Sequence, residues 1–311
     1  MKERILITGG AGFIGTHLVD CLFNQGNQIV VLDNLCTGNL KNLRSGVRFI
    51  KGDVRDKEAV MRALNGCTKV YHHAAELGVD RIMQMSDEAM ADVDYHGTKT
   101  VLEACRNSEV KTLLFASTSE VYGDYLKEDL PMTEDDNFKP DTPYGEAKKN
   151  AETLCHEFSK ETGMNTVCVR YFNVYGARQT FNGYAIPNFI RAALKNEIIK
   201  IHGDGKQIRD FTYIDDAVRM TVGVCQEKFN GEVFNIGSGD YVNMIDLASI
   251  IKRLCISKSE IKFIAPRRPT DTHNKYSDPS KVIRMTGVNS KMDFEKGLIE
   301  TIKYYKNNII M

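Results

Sequence analysis

The chain has 311 residues, 42% hydrophobic and 26% charged, with 41 basic side chains against 41 acidic ones. That is long enough for one large domain or two moderate ones, and the balanced charge gives no reason to expect nucleic acid or an anionic membrane as a partner. No apolar run approaches the ~18 residues of a membrane span, no signal peptide precedes the first strand, and the eight cysteines stand singly without a CxxC pair, so a reduced, cytoplasmic protein without a metal site is expected.

The first predicted strand, Ile5-Leu6-Ile7-Thr8, runs into Gly9-Gly10-Ala11-Gly12-Phe13-Ile14-Gly15 and then into an amphipathic helix. Three glycines spaced three apart at this junction suit a dinucleotide-binding turn. Gly9 can take the positive φ that ends the strand, Gly12 lets backbone approach a pyrophosphate, and Gly15 lets the helix pack close to the strand. The helix N-terminus then offers free N–H groups to the phosphates. A second strand, 28–32, ends in Asp33, 18 residues after Gly15. A carboxylate there can accept both hydroxyls of an adenosine ribose and would repel a 2′-phosphate, which favours NAD over NADP.

Strands and helices then alternate: strand 47–50, helix 56–65, strand 69–72, a long helix 87–107, strand 112–116, helix 144–162 and strand 166–170. This rhythm predicts βαβ units and a doubly wound parallel α/β sheet of the Rossmann type. From about 171 it breaks into helices 184–195, 214–225, 244–255 and 293–306 with short strands 198–201, 233–236 and 261–264. The expected organisation is an NAD-binding domain over 1–170 and a smaller α/β substrate lobe over 171–311, interleaved with it. The polar stretch 124–142 reads as a surface loop.

Ligands of open parallel sheets sit at the carboxyl ends of the strands. Asp53 follows one such end and could meet an adenine amino group or cap the next helix. His72 and His73 follow another and read as structural, and Ala74 beside them permits close approach of a ligand. After strand 112–116 comes Ser117-Thr118-Ser119-Glu120-Val121-Tyr122-Gly123, hydroxyls and a carboxylate crowded at a strand end. Tyr144 and Lys148 open the next helix at i and i+4, on one face. A phenol with pKa ~10 is a poor base at neutral pH, and lowering it by ~3 units takes about 4 kcal/mol of preferential phenolate stabilisation. A nearby ammonium and an oxidised nicotinamide can supply that.

Taken together, these motifs resemble the extended short-chain dehydrogenases/reductases of the sugar-nucleotide epimerase/dehydratase family, with UDP-glucose 4-epimerases nearest in pattern. The resemblance spans essentially the whole chain. It also rests on Asp33-Asn34-Leu35, Gly52-Asp53-Val54, Arg170-Tyr171-Phe172-Asn173-Val174-Tyr175-Gly176, Arg209-Asp210-Phe211-Thr212-Tyr213 and Arg267-Arg268-Pro269. It implies NAD held by Gly9, Gly12, Phe13, Ile14, Gly15, Asp33, Asn34, Asp53, Val54, Ala74, Tyr144 and Lys148. Tyr144 would be the acid/base, tuned by Lys148, with Thr118 on the same sugar oxygen. Asn173, Arg209 and Arg268 would hold the diphosphate of a nucleotide sugar, a task suited to the planar fork of arginine; Arg267 reads as a surface ion pair. The reaction implied first is 4-epimerisation by transient C4 oxidation. A 4,6-dehydratase or UDP-glucuronate decarboxylase with Glu120 as base is the alternative, and a non-catalytic NAD-sensing module a distant one. Two departures stand out: Asp94 where the family usually has asparagine, and Ser119 where dTDP-glucose dehydratases carry aspartate. The resemblance further implies a homodimer built from helices near 87–107 and 144–162. The segments 78–85 and 177–184 are expected to line the sugar end of the cleft.

Overall fold

The computed structural model describes residues 2–76, 78, 85–123, 130–181, 183–267 and 274–308. Six strands in the first half, β1 (Arg4–Thr8), β2 (Gln28–Asp33), β3 (Arg48–Lys51), β4 (Lys69–His72), β5 (Thr112–Thr118) and β6 (Asn165–Tyr171), lie parallel in the order β6-β5-β4-β1-β2-β3. Both faces are covered, so the strands are nearly continuous apolar runs. The period of two still sorts them: Ile5, Ile7 and Val31 pack with α1 (Phe13–Asn24), whereas Leu6, Val30 and Leu32 pack with α2 (Lys57–Leu64) on the opposite face. Burying one such Leu or Ile side chain contributes roughly 1.5–3 kcal/mol.

The long helix read over 87–107 is broken. A short α3 (Asp87–Ala91) passes into a π-turn over Asp92–Gly97 and resumes as α4 (Thr98–Cys105). The wider turn brings Asp94 wholly inside the protein, and Gly97 lets the turn lie against Val54, whose methyl would be 2.8 Å from an added Cβ. π-turns of this kind are frequent at functional sites. By contrast α5 (Pro143–Thr162) follows its local signals. Thr142 caps it by accepting from Gly145 N at 3.0 Å, Pro143 sits in the first turn, and Gly163 ends it at φ +74°.

Beyond β6, β7 (Asn173–Tyr175) pairs with β9 (Ile208–Tyr213), and β8 (Ile199–His202) pairs with a later strand. With α6 (Ala185–Lys195) they start a second core around Tyr175, Ile190 and Ile201. Two later segments return to the first core. Helix α7 (Ile214–Val224) packs on the α1 side of the main sheet, and β10 (Val233–Ile236), read from the sequence as a strand of the second lobe, pairs in parallel with β6 as the seventh strand of the main sheet. The reason is local: Phe234 and Ile236 are fully buried, and β6 would otherwise present an open edge. The second lobe is completed by β11 (Tyr241–Asn243), α8 (Met244–Leu254), β12 (Ile261–Ile264), α9 (Ser280–Thr286) and α10 (Phe294–Asn308). The match of the parallel sheet and smaller mixed sheets to the expected fold class is therefore close.

Candidate active site

A cleft of about 650 Å³ runs across the carboxyl ends of the central strands to the second lobe, within the few hundred to 1,000 Å³ usual for ligand sites. Its floor is the glycine turn. Gly9 has φ +66°, and a Cβ on Gly15 would lie 2.2 Å from Gly9 O, so strand and helix meet in a way that only glycine allows. Helix α1 begins with no side-chain cap and no acidic residue in its first turn. Its leading N–H groups are thus directed at a place suited to a diphosphate. Phe13, Ile14, Gly12 and Gly15 line this end.

The ribose position is built differently from a free carboxylate. Asp33 is 7% exposed and braces the turn, accepting from Ala11 N at 2.9 Å and Leu35 N at 2.8 Å. Burial raises its pKa, opposed by those two N–H groups. Asp53, just beyond β3, does not cap α2, because Asp56 does so by accepting from Glu58 N and Ala59 N. Instead Asp53 is bonded by Arg55 Nε at 2.8 Å and by Asn34 Nδ2 at 2.9 Å, which holds its carboxyl well below the usual range. Val54 is buried, and Ala74 N donates to Thr8 Oγ1 at 3.2 Å. These residues stand at adjacent strand ends, as the glycine turn does, and the uncapped helix, the glycine cradle and the ordered acidic strand end fit a dinucleotide.

At the centre of the cleft Thr118, Glu120, Tyr144 and Lys148 converge with Asn173 and Arg209 from the second lobe. The Thr118 hydroxyl faces the Tyr144 phenol and accepts Glu120 N at 3.2 Å. Lys148 is 2% exposed; its ammonium donates to Ala116 O at 2.9 Å and lies 3.2 Å from Asp94 Oδ1. Burial pushes the Tyr144 phenol well above its ordinary value, and the charges of Asp94 and Glu120 add to this, while the Thr118 hydroxyl opposes it. Tyr184 also faces it, with its own pKa pushed up to about 12 by burial and moderated by the Gly78 N–H.

His72 and His73 are structural, as the sequence suggests. Thr98 gives its hydroxyl proton to Asp94 O at 2.6 Å, so it accepts from His72 Nε2 at 3.1 Å. Nδ1 of His72 then accepts from Thr8 Oγ1 at 2.6 Å. One tautomer satisfies the whole relay. His73 Nε2 meets Tyr171 OH at 3.0 Å, and burial holds both histidines near pKa 3, neutral at working pH.

Three features were not legible beforehand. Lys275, 5% exposed, reaches Glu120 Oε1 at 3.0 Å. Its backbone is clamped between Ile208 and Asp210 (Lys275 N to Ile208 O 3.1 Å, Asp210 N to Lys275 O 3.1 Å), while neighbouring Tyr276 O accepts Met132 N at 2.9 Å. Such pairing across 155 residues leaves no spacing signal. Arg267, read as a surface ion pair, lines the cleft and donates to His202 Nε2 at 3.1 Å and Gly183 O at 3.0 Å. Lys148 and Asp94 form the third. Gly78, Gln179, Thr180, Gly183 and Tyr184 line the cleft as the expected sugar-end segments do, whereas Arg268 and residues 79–84 lie outside the described residues. Among the described residues no metal-ligating cluster occurs and no helix is long and apolar enough to cross a membrane.

Comparison with known proteins places this geometry. Residues 5–237 match the model of the NAD dependent epimerase/dehydratase family. The chain is 38% identical to a UDP-N-acetyl-alpha-D-glucosaminuronate decarboxylase from Bacillus cytotoxicus, covering 98% of each. A solved UDP-glucose 4-epimerase from Thermotoga maritima, with UDP-glucose, superposes with TM-score 0.93 at 33% identity, over 98% of this chain and 99% of that one. A UDP-glucuronic acid 4-epimerase from Bacillus cereus, with UDP-glucuronic acid and NAD, gives 0.90 at 32% identity, over 98% and 99%. The protein is an NAD-dependent enzyme that modifies nucleotide sugars, and the chain belongs to the NAD dependent epimerase/dehydratase family.

Proposed function

We propose that the enzyme oxidises C4 of a UDP-sugar that carries a carboxylate on C5, and then decarboxylates it. The observation that carries this reading is the Glu120–Lys275 pair at 3.0 Å, a second ionic centre beside Tyr144 and Thr118. Epimerisation needs an acid/base at C4 and room for the ring to turn; it has no task for a second ionic pair. A C5 carboxylate does: it needs a buried cation to receive it, and the carbon left behind needs a proton.

Tyr144 takes the C4 hydroxyl proton, and Thr118 bonds the same oxygen. When bound, NAD would supply the reversible hydride chemistry at C4. The 4-keto acid then breaks its C5–C6 bond, the electron pair moving toward the C4 oxygen that Thr118 and Tyr144 hold. A proton delivered to C5 from the Glu120–Lys275 side restores the ketone. Only one carboxylate, Glu120, stands in Ser117-Thr118-Ser119-Glu120, which is one acid short of the pair used to remove water across C5 and C6. Gly9, Gly12, Gly15, Asp33 and Lys148 are the residues that would hold the cofactor, and Asn173, Arg209 and Arg267 the diphosphate end of the substrate.

A second reading, 4-epimerisation, is favoured by the superposition on solved epimerases and takes Glu120–Lys275 as a latch between lobes. The test is mass spectrometry after incubation with UDP-glucuronate, UDP-N-acetylglucosaminuronate, UDP-glucose and UDP-N-acetylglucosamine without added cofactor. Loss of carbon dioxide from a uronate is the expected result. Product of unchanged mass and altered retention establishes the second reading, and loss of water excludes both. We also propose a homodimer through α3–α4 and α5, to be read by light scattering on the purified protein.

A further inference from the structure

The contact between Asp94 and Lys148 has no place in the reaction as written above, yet it is built into the centre of the site. Asp94 enters from the π-turn, Lys148 from α5, and their charged atoms lie 3.2 Å apart with side chains 0% and 2% exposed. We propose that Asp94 is a positioning residue that neutralises Lys148 and so sets the proton affinity of Tyr144; this rests on Tyr144 being the acid/base.

The physical case is one of charge balance in a dry place. A lone ammonium beside Tyr144 would favour phenolate strongly, since charges interact far more in the interior than in water. With Asp94 in contact, the pair presents little net charge to the phenol. The groups around it are few and can be named. Tyr144 faces Asp94, Tyr184, Glu120 and the Thr118 hydroxyl, with Lys148 Nζ 5.9 Å from its ring centroid. Glu120 is in turn paired with Lys275. Lys148 faces Asp94, the Ala116 carbonyl, the Phe115 ring at 4.9 Å and the neutral His72 and His73. Asp94 faces Lys148, the Glu76 carboxyl and the Glu76 N–H. Burial raises the Asp94 pKa and Lys148 opposes that rise.

The turn that carries Asp94 is also held in place, through its backbone carbonyl, by the relay. Thr98 donates to Asp94 O, and through His72 the turn is tied to Thr8 at the end of β1. The position of Asp94, and with it the point where Lys148 rests, is therefore coupled to the strand that carries the glycine turn. The consequence is a tyrosine kept as a good proton acceptor once ionised, and kept protonated until positive charge arrives in the cleft.

The test is a titration of Tyr144 in protein labelled with ¹³Cζ-tyrosine, assigned by its loss in Tyr144→Phe, alongside the pH dependence of kcat. In Asp94→Asn, which keeps the shape and removes the charge, the Tyr144 midpoint falls by about one to two pH units, and the acid limb of kcat moves down with it. Asp94→Glu, which keeps the charge, titrates close to the parent. An unmoved or raised midpoint in Asp94→Asn overturns the proposal, as does Asp94→Glu moving as far as Asp94→Asn. Should Asp94→Asn not fold, Asp94→Ser is titrated against the same criterion. Full turnover by Tyr144→Phe would instead remove the catalytic reading on which this rests, whatever the midpoints show.

Discussion

At the scale of single residues, the cleft separates two tasks. On the reading proposed above, Tyr144 and Thr118 would act on C4, and Glu120 with Lys275 would face what is attached further round the ring. These are separable by substitution. Tyr144→Phe removes the proton acceptor and is expected to lower kcat by roughly 10²–10⁴-fold on every substrate, while nucleotide binding persists. Lys275→Met keeps the buried stem and deletes the charge. It is expected to lower turnover of a uronate by at least about tenfold and to spare hydride transfer, seen as accumulation of reduced cofactor at its absorbance band. Equal loss of both steps in Lys275→Met would assign the lysine to folding alone, consistent with the cost of deleting one charge of a partly buried ion pair.

At the scale of elements, the decisive contacts are those in which backbone approaches backbone. A methyl on Gly15 would meet Gly9 O at 2.2 Å and Gly10 Cα at 2.7 Å, neither of which can move aside. Gly15→Ala is thus expected to cost ~1–3 kcal/mol of stability as α1 is pushed off β1. It should also weaken NAD binding by roughly 10²-fold through misplacement of the helix N-terminus, read by urea unfolding and calorimetry. The relay that joins β1, β4 and α4 makes a different prediction. His72 and His73 have folded pKa values of about 3, against 6.5 in the unfolded chain. Between these values the unfolded chain binds protons that the native one refuses, so stability is full above about pH 6.5 and is lost as pH falls toward 3. The slope approaches ~1.4 kcal/mol per pH unit for each histidine. Urea midpoints measured from pH 7 to 4, with ¹⁵N imidazole shifts showing two rings still neutral at pH 4.5, would bear this out; rings that titrate near 6.5 would refute it.

At the scale of the whole molecule, the two cores are joined by segments that cross between them. Asp210, wholly buried on β9, accepts from Thr212, from the backbone and hydroxyl of Ser238, from Gly239 N and from the backbone and hydroxyl of Ser277. It thereby draws the chain after β10 and the segment bearing Lys275 onto one strand. Asp210→Ala leaves several buried donors without an acceptor and is expected to cost about 2–4 kcal/mol. Because Lys275 is two residues from Ser277, turnover should fall further than that of a surface control destabilised to the same urea midpoint. A variant that loses stability and keeps full turnover would separate the clamp from the site.

The main sheet and its cofactor turn were written locally. A strand, three glycines and a helix occupy adjacent positions, and alternating apolar runs need no distant partner to be read, so the parallel sheet, Tyr144 beside Lys148, and Thr118 at a strand end follow from spacing alone. The helix near 87–107 shows the limit, since nothing in its periodicity marks a π-turn whose reason is the burial of Asp94 against a lysine on another helix. The strand at Val233–Ile236 shows it again: its apolar pattern suits any buried strand, and the open edge of β6 chose its place. The pairing of Lys275 with Glu120 lies furthest from sequence reach, because backbone bonds of Lys275 to Ile208 and Asp210, and of Tyr276 to Met132, put it there. What the sequence by itself determined was the NAD-binding fold and the glycine turn of its first half, since those depend on neighbours along the chain. Only the tertiary structure decided which charges face one another in the cleft, because ion pairing is settled by proximity in space and by the absence of water between the partners.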